Sequence, residues 1–280
     1  MYRITFQYGT STFNRVLLAV CVALASVHAQ PSLSPPLSGF GQASNFHLPF
    51  EWVSASSTPS SPDRVAARRA DVDQLPEGPQ SFEVLKNGTI LITDPLWPRI
   101  AVLRDGKIVG AVKLNAPVER IAADSSGKLM MQSPFSDEFQ LSAEPWRFDS
   151  FGSLPRRDAS GRAVKAENGG GRIVDVRGAK EDIKVKAPVL PLLALRRIPS
   201  DDEFVYVLLQ SKRASNPIQI AQIVRKYSKD DQEVCELSMP SSVAYIRPLD
   251  EFRVTDGKLY RMVPSNEDLA FSVWDVRGCR

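Results

Sequence analysis

Residues 87–109 read Asn87-Gly88-Thr89-Ile90-Leu91-Ile92-Thr93-Asp94, then Pro95-Leu96-Trp97-Pro98, then Arg99-Ile100-Ala101-Val102-Leu103-Arg104-Asp105-Gly106-Lys107-Ile108-Val109. Short apolar runs rich in β-branched residues alternate here with Asn-Gly and Asp-Gly. Both dipeptides tolerate positive φ, so each predicts a tight hairpin. Phe82–Leu85 supplies a strand before the first turn, and Lys107–Leu114 a strand after the second. Four short strands in about thirty residues is a meander, and no helical period interrupts it.

The same grammar recurs further along the chain. Gly127 opens Lys-Leu-Met-Met-Gln-Ser-Pro, Gly171 opens Arg-Ile-Val-Asp-Val-Arg-Gly, and Gly257 opens Lys-Leu-Tyr-Arg-Met-Val-Pro. Glu203 takes the glycine's place before Phe204–Leu209. From Gly88 onward these anchors are separated by 39, 44, 32 and 54 residues. A period of about 40–45 residues with four strands each is that of a propeller blade. Radial stacking would bury both faces of each sheet, which explains the unbroken apolar run at 204–209. The expectation is an all-β chain, a β-propeller of five to six four-stranded blades over 78–280. A β-sandwich or split barrel with irregular hairpins is the competing architecture.

The stretches Asn87–Val109 and Pro117–Met131, the latter containing Ile-Ala-Ala-Asp-Ser-Ser-Gly-Lys-Leu-Met-Met, resemble bacterial exported propellers of the NHL and gluconolactonase-like type. The resemblance covers about 78–132 and 195–277, and 140–190 departs from it. It implies six blades where the anchors give five. Either the island Phe46–Val53 completes a ring as an edge strand, or one blade is degenerate. It also implies a Ca²⁺ or Mg²⁺ held by oxygen ligands at a channel mouth. By their placement at strand ends the candidates are Glu83, Asp94, Asp124, Asp202 and Asp256. An ordinary role as turn and surface carboxylates competes for each, above all for Asp256 and Asp105 in their Asp-Gly turns.

Before residue 78 the texture differs. Arg3 and Arg15 without any acid, followed by the apolar run Val16–Val27 and by Val27-His28-Ala29, have the form of a secretory leader over 1–29, cleaved after Ala29. The run is short for a bilayer span, which needs roughly 20 residues. An uncleaved anchor, or lipidation at Cys21, are the alternatives. Residues 30–77 carry Pro31, Pro35, Pro36, Pro49, Pro59 and Pro62 and are expected to form a largely disordered tether. A short helix around Arg64–Val72 is a second expectation. The protein is then secreted or periplasmic, with no membrane span after cleavage.

Of 280 residues only two are histidine, His28 in the leader and His47 in the tether. A Ser-His-Asp or Cys-His nucleophile therefore has no base in the repeat region, and His-based metal ligation is excluded there. Loss of Arg3 and Arg15 leaves 33 basic and 32 acidic residues, too even a balance to favour nucleic acid. No Gly-rich phosphate loop occurs. Cys235 and Cys279 remain after the leader and are a candidate disulfide in an oxidising compartment; two unpaired thiols are the alternative. Trp97, Arg99, Trp146 and Arg147 are aromatic–arginine candidates for a binding rim, with blade core as the other role for the tryptophans. The basic stretch 154–187 is a solvated loop or a site for an acidic partner.

These features point to an exported, non-catalytic binding or scaffold module without a cofactor, its protein or small-molecule ligand meeting one propeller rim. A metal-dependent, lactonase-like hydrolase is the alternative. A propeller holding a quinone cofactor is a third, weakened because blade tryptophans do not repeat.

Overall fold

A computed structural model describes residues 43–123, 129–133, 151–153, 173–176, 183–186, 192–215, 218–240 and 244–279. All of them fall in one compact unit, 35–280. The leader, Asp124, Trp146 and Arg147 lie outside the described residues.

Turn chemistry sets the local geometry. Strands β5 (Arg99–Arg104) and β6 (Lys107–Lys113) meet at Asp105-Gly106, with φ of 50° and 72°. Strands β16 (Phe252–Thr255) and β17 (Lys258–Pro264) meet at Asp256-Gly257, with φ of 49° and 62°. Both are two-residue hairpins of the kind the right-handed strand twist favours. The Asn-Gly turn between β3 (Phe82–Val84) and β4 (Ile90–Asp94) is closed differently. There only Gly88 has positive φ, at 79°. The Asn87 Oδ1 instead accepts the Thr89 N–H at 3.0 Å, and Leu85 N–H bonds the Thr89 carbonyl at 2.8 Å. The loop thus holds three residues, and the side-chain amide takes up a backbone donor that a shorter turn would have paired.

Among the described residues there is no helix, and the strands fall into five sheets. The first is the meander β3-β4-β5-β6. The second joins β7 (Arg120–Ala123), β8 (Leu129–Gln132) and β9 (Phe151–Ser153); the third pairs β10 (Ile173–Val176) with β11 (Ile183–Lys186). The fourth is the meander β12 (Leu192–Ile198), β13 (Val205–Ser215), β14 (Ile218–Tyr227) and β15 (Glu233–Ser238). The fifth runs β16-β17-β18 (Asp268–Asp275) and continues into β1 (Ser44–Trp52) and β2 (Val65–Ala67).

That last sheet redraws the 30–77 segment. Ser44–Pro49 of β1 pairs antiparallel with β18, and Phe50–Trp52 pairs parallel with Val65–Ala67. Leu48 and Phe50 are buried, and Val65, Ala66 and Ala67 have no exposed surface. The described part of the segment expected as a tether, residues 43–77, therefore contributes two strands to the fold. The island at 46–53 docks as a strand with β18 and β2 as its sheet neighbours, and the 64–72 stretch expected as a helix holds the strand Val65–Ala67 followed by a turn. Proline density hid this because Pro49 lies opposite Asp268 at the end of the antiparallel pairing.

Alternate residues of one strand enter different cores. In β4, Ile90 and Ile92 face Leu48, Phe82 and Phe271, whereas Leu91 faces Ile100, Ile121 and Met131. In β13, Tyr206 and Leu208 pack with Phe252 and Trp274, whereas Val207 and Leu209 pack with Val185 and Tyr227. Apolar cores thus lie between the first and second sheets, the third and fourth, the fourth and fifth, and the fifth and first. The strands that begin the sheets are neighbours in space: β3 beside β7, β10 beside β12, β12 beside β16, and β16 beside β3.

Candidate functional site

The sequence candidates begin with Glu83 in β3. Its Oε2 accepts from Arg253 Nε of β16 at 3.3 Å and from Ala123 N of β7 at 3.0 Å, and its Oε1 accepts from Val84 N at 3.1 Å. Arg253 also approaches Asp250 at 3.2 Å and donates to the Ile121 carbonyl at 3.1 Å. Asp250 in turn takes two bonds from Arg120 of β7, at 3.0 and 2.8 Å, and one from the Ser81 hydroxyl at 2.8 Å. This network ties together the first strands of three sheets, and all its carboxylates are buried.

The electrostatics divide the two acids. Burial raises the Glu83 carboxyl above its ordinary range, and Arg253 offsets this only in part. Burial would raise Asp250 too, but the Arg253 and Arg120 guanidiniums outweigh it and hold it well below the usual carboxylate range. Asp250 is the charged partner of two cations, and Glu83 the weaker acid.

Asp94 closes β4 and has no exposed surface. It accepts from Arg99 Nε at 2.9 Å and lies 3.3 Å from Ala66 N. Burial pushes its carboxyl up to about 6 against the pull of Arg99. Arg99 is only 2% exposed, so it is not part of an exposed rim. Its guanidinium stacks at 3.8 Å on the half-buried Trp97 ring and also donates to the Pro62 and Arg64 carbonyls. The Trp97–Arg99 pair is an internal clamp on the segment before β2.

Asp202 accepts the Tyr206 hydroxyl at 2.8 Å, the Ser200 hydroxyl at 2.6 Å and Phe204 N at 2.9 Å. It orders the β12–β13 connection. Asp256 holds its Asp-Gly turn, and its N–H is bonded by Asp201 at 3.2 Å. Among the described residues no three His, Cys, Asp or Glu side chains are gathered where they could hold a metal ion. Glu83 and Asp94 each face a guanidinium, a field that disfavours a divalent cation, so the described members of the set Glu83, Asp94, Asp124 and Asp202 do not make a shared cation site.

A cleft of about 630 Å³ opens between the fourth and fifth sheets. Its lining includes Phe204 and Tyr206 from the fourth sheet and Gly257 and Val276 from the fifth. Asp201, Glu203 and Asp256 stand against Lys86, Lys226 and Arg277, so both signs of charge border an aromatic wall. Lys226 is buried, with Nζ 3.9 Å above the Phe204 ring and bonded to the Val276 and Cys279 carbonyls at 3.1 and 3.3 Å. Burial pulls its ammonium below the ordinary lysine range, against the nearby Asp202 and Glu203. Cys279 also lines the cleft and forms a disulfide with Cys235 of β15, with Cα atoms 5.9 Å apart. The bridge fixes the tail beyond β18 as one wall.

Sequence reasoning missed Arg120, Asp250 and Arg253, and missed the cleft apart from Asp202, Asp256 and Cys279. Arg120 and Asp250 are 130 residues apart and carry no local spacing signal. Only the alignment of three sheet-opening strands, Phe82–Val84, Arg120–Ala123 and Phe252–Thr255, could have joined them. No family model and no curated protein matches the chain. No helix among the described residues is long and apolar enough to cross a membrane.

Proposed function

We propose that the chain is an exported β-propeller that serves as a non-catalytic binding or scaffold module, with the cleft between the fourth and fifth sheets as its ligand site. The observation that carries this is the cleft itself. Its volume of about 630 Å³ is in the range of small-molecule sites, and its wall combines aromatic faces with a few charged groups. The buried acids Glu83, Asp94 and Asp250 lie outside the cleft and are paired with arginine, and the cleft's Asp202 is taken up by the Tyr206 and Ser200 hydroxyls.

The propeller reading is supported by the sheet order. Apolar cores fill four gaps between sheets, first–second, third–fourth, fourth–fifth and fifth–first, the opening strands of these pairs are neighbours, and β1 and β2 extend the sheet built from β16–β18. Chain ends sharing one sheet is how a ring of blades closes without an exposed edge. Five sheets fit the five anchors of the sequence repeat. Export is supported by the leader-like residues 1–29 and by the disulfide, which persists in oxidising compartments.

Metal analysis with thermal melting of the purified chain, in EDTA and in Ca²⁺, tests the reading. Unchanged melts and no bound metal are expected. One stoichiometric metal with a large rise in Tm would overturn it in favour of the hydrolase, because a ligand that binds only the folded state stabilises it.

A further inference from the structure

Residues Arg68–Glu77 form a small hairpin beside β2 that the cleft does not use. Arg68 N–H bonds the Glu77 carbonyl at 2.8 Å and Glu77 N–H returns the bond at 3.1 Å. Nearer the tip Asp71 and Gln74 exchange bonds of 3.0 and 3.3 Å. The Arg68 and Glu77 side chains pair at 2.8 Å, and Ala70 N–H donates to the Tyr245 hydroxyl at 2.9 Å. Arg69 lies 4.4 Å over the Trp52 ring, which meets Tyr245 edge-on at 6.1 Å. The hairpin is therefore bonded at its neck and packed against an aromatic base.

What it holds outward is apolar. Val72 is 94% exposed and Leu75 84%, whereas the other exposed large hydrophobics among the described residues are half covered. A hairpin fixed at both its neck and its tip gains nothing in folding from presenting these two side chains to water. Asp71 and Asp73 stand beside them, exposed, and the base supplies tryptophan, tyrosine and arginine, the residues most enriched in interface hot spots. The geometry points to this surface as a docking site for an extended segment of a partner protein whose apolar side chains are flanked by lysine or arginine. Val72 and Leu75 bury against the segment's apolar residues, and the two aspartates meet its flanking cations. Because the loop is already ordered, little entropy is lost on docking. This surface lies outside the cleft, and the inference does not depend on what the cleft binds.

The test is selection of a phage-displayed library of random linear peptides on the intact, disulfide-bonded chain, followed by fluorescence anisotropy with a synthetic consensus peptide. We expect a consensus of apolar residues between lysines or arginines. Binding should weaken at least about tenfold in V72S/L75S, at unchanged melting temperature. D71N/D73N should weaken it less and flatten its salt dependence. V109S, which removes an exposed apolar side chain of β6, should leave it unaltered. The inference is overturned if no peptide is enriched, or if the selected peptides bind V72S/L75S as tightly as the parent. Self-association of the parent that V72S/L75S abolishes would assign the surface to a second copy of this chain and equally overturn it.

Discussion

Asp94 and Arg99 are a buried ion pair whose two halves are unequally dependent on each other. Arg99 retains the Pro62 and Arg64 carbonyls and the Trp97 ring whatever Asp94 does, but Asp94 has no second cation beside it among the described hydrogen bonds and ion pairs. R99M should accordingly cost about 3–5 kcal/mol in urea unfolding at pH 7, the usual result of stranding a buried charge. D94N should cost far less. The pH dependence has a definite sign. With a folded-state value of about 6 against about 4 in the unfolded chain, the folded protein takes up this proton first. The contribution of Asp94 to stability therefore rises as pH falls from 7 through 6 towards 4, and D94N should remove that rise. A D94N profile parallel to the parent's between pH 7 and 5 would refute the assignment. None of this pairing was visible beforehand, because Asp94 before Pro95 reads equally well as an ordinary strand end and Arg99 as an exposed rim residue. Burial is what separates the readings, and a local pattern does not carry it.

At the scale of the element, the turns were legible and the partners were not. The Asp105-Gly106 and Asp256-Gly257 hairpins follow from residues that accept positive φ, and the anchors at Gly88, Glu203 and Gly257 fall at the connections between first and second strands of the first, fourth and fifth sheets. The island at 46–53 was legible as a strand, but its partners were not, because Ser44–Pro49 pairs with β18 more than 200 residues away; Val65–Ala67 escaped because three residues carry too short a pattern to separate a strand from the helix expected there. The cysteine pair was open to either outcome until the edge strand β15 and the tail were seen side by side. That bridge spans 44 residues and pins the segment after β18. C235A/C279A should lose about 2–4 kcal/mol relative to the oxidised parent and match the reduced parent in denaturant unfolding. Equal stability of oxidised and reduced parent would mean that the Lys226 bonds to Val276 and Cys279 hold the tail unaided.

The whole molecule is joined by strands from opposite ends of its sequence. Phe46 stacks on Phe271 at 5.0 Å, Phe271 meets Phe82 edge-on, and the core around them draws on the first and fifth sheets together. A chain begun at residue 54 should therefore fail to unfold cooperatively by circular dichroism, while a near-native melt from it would return residues 44–53 to the status of a tether. His47 in β1 and Asp268 in β18 bond at 2.8 Å across 221 residues of sequence. Distance along the chain is also time. Of the described strands β1 is made first; its Phe50–Trp52 part meets β2 soon afterwards, but its Ser44–Pro49 part has no antiparallel partner until β18 has emerged. Until that pairing forms, the facing edges of β1 and β18 are open to strands of other chains.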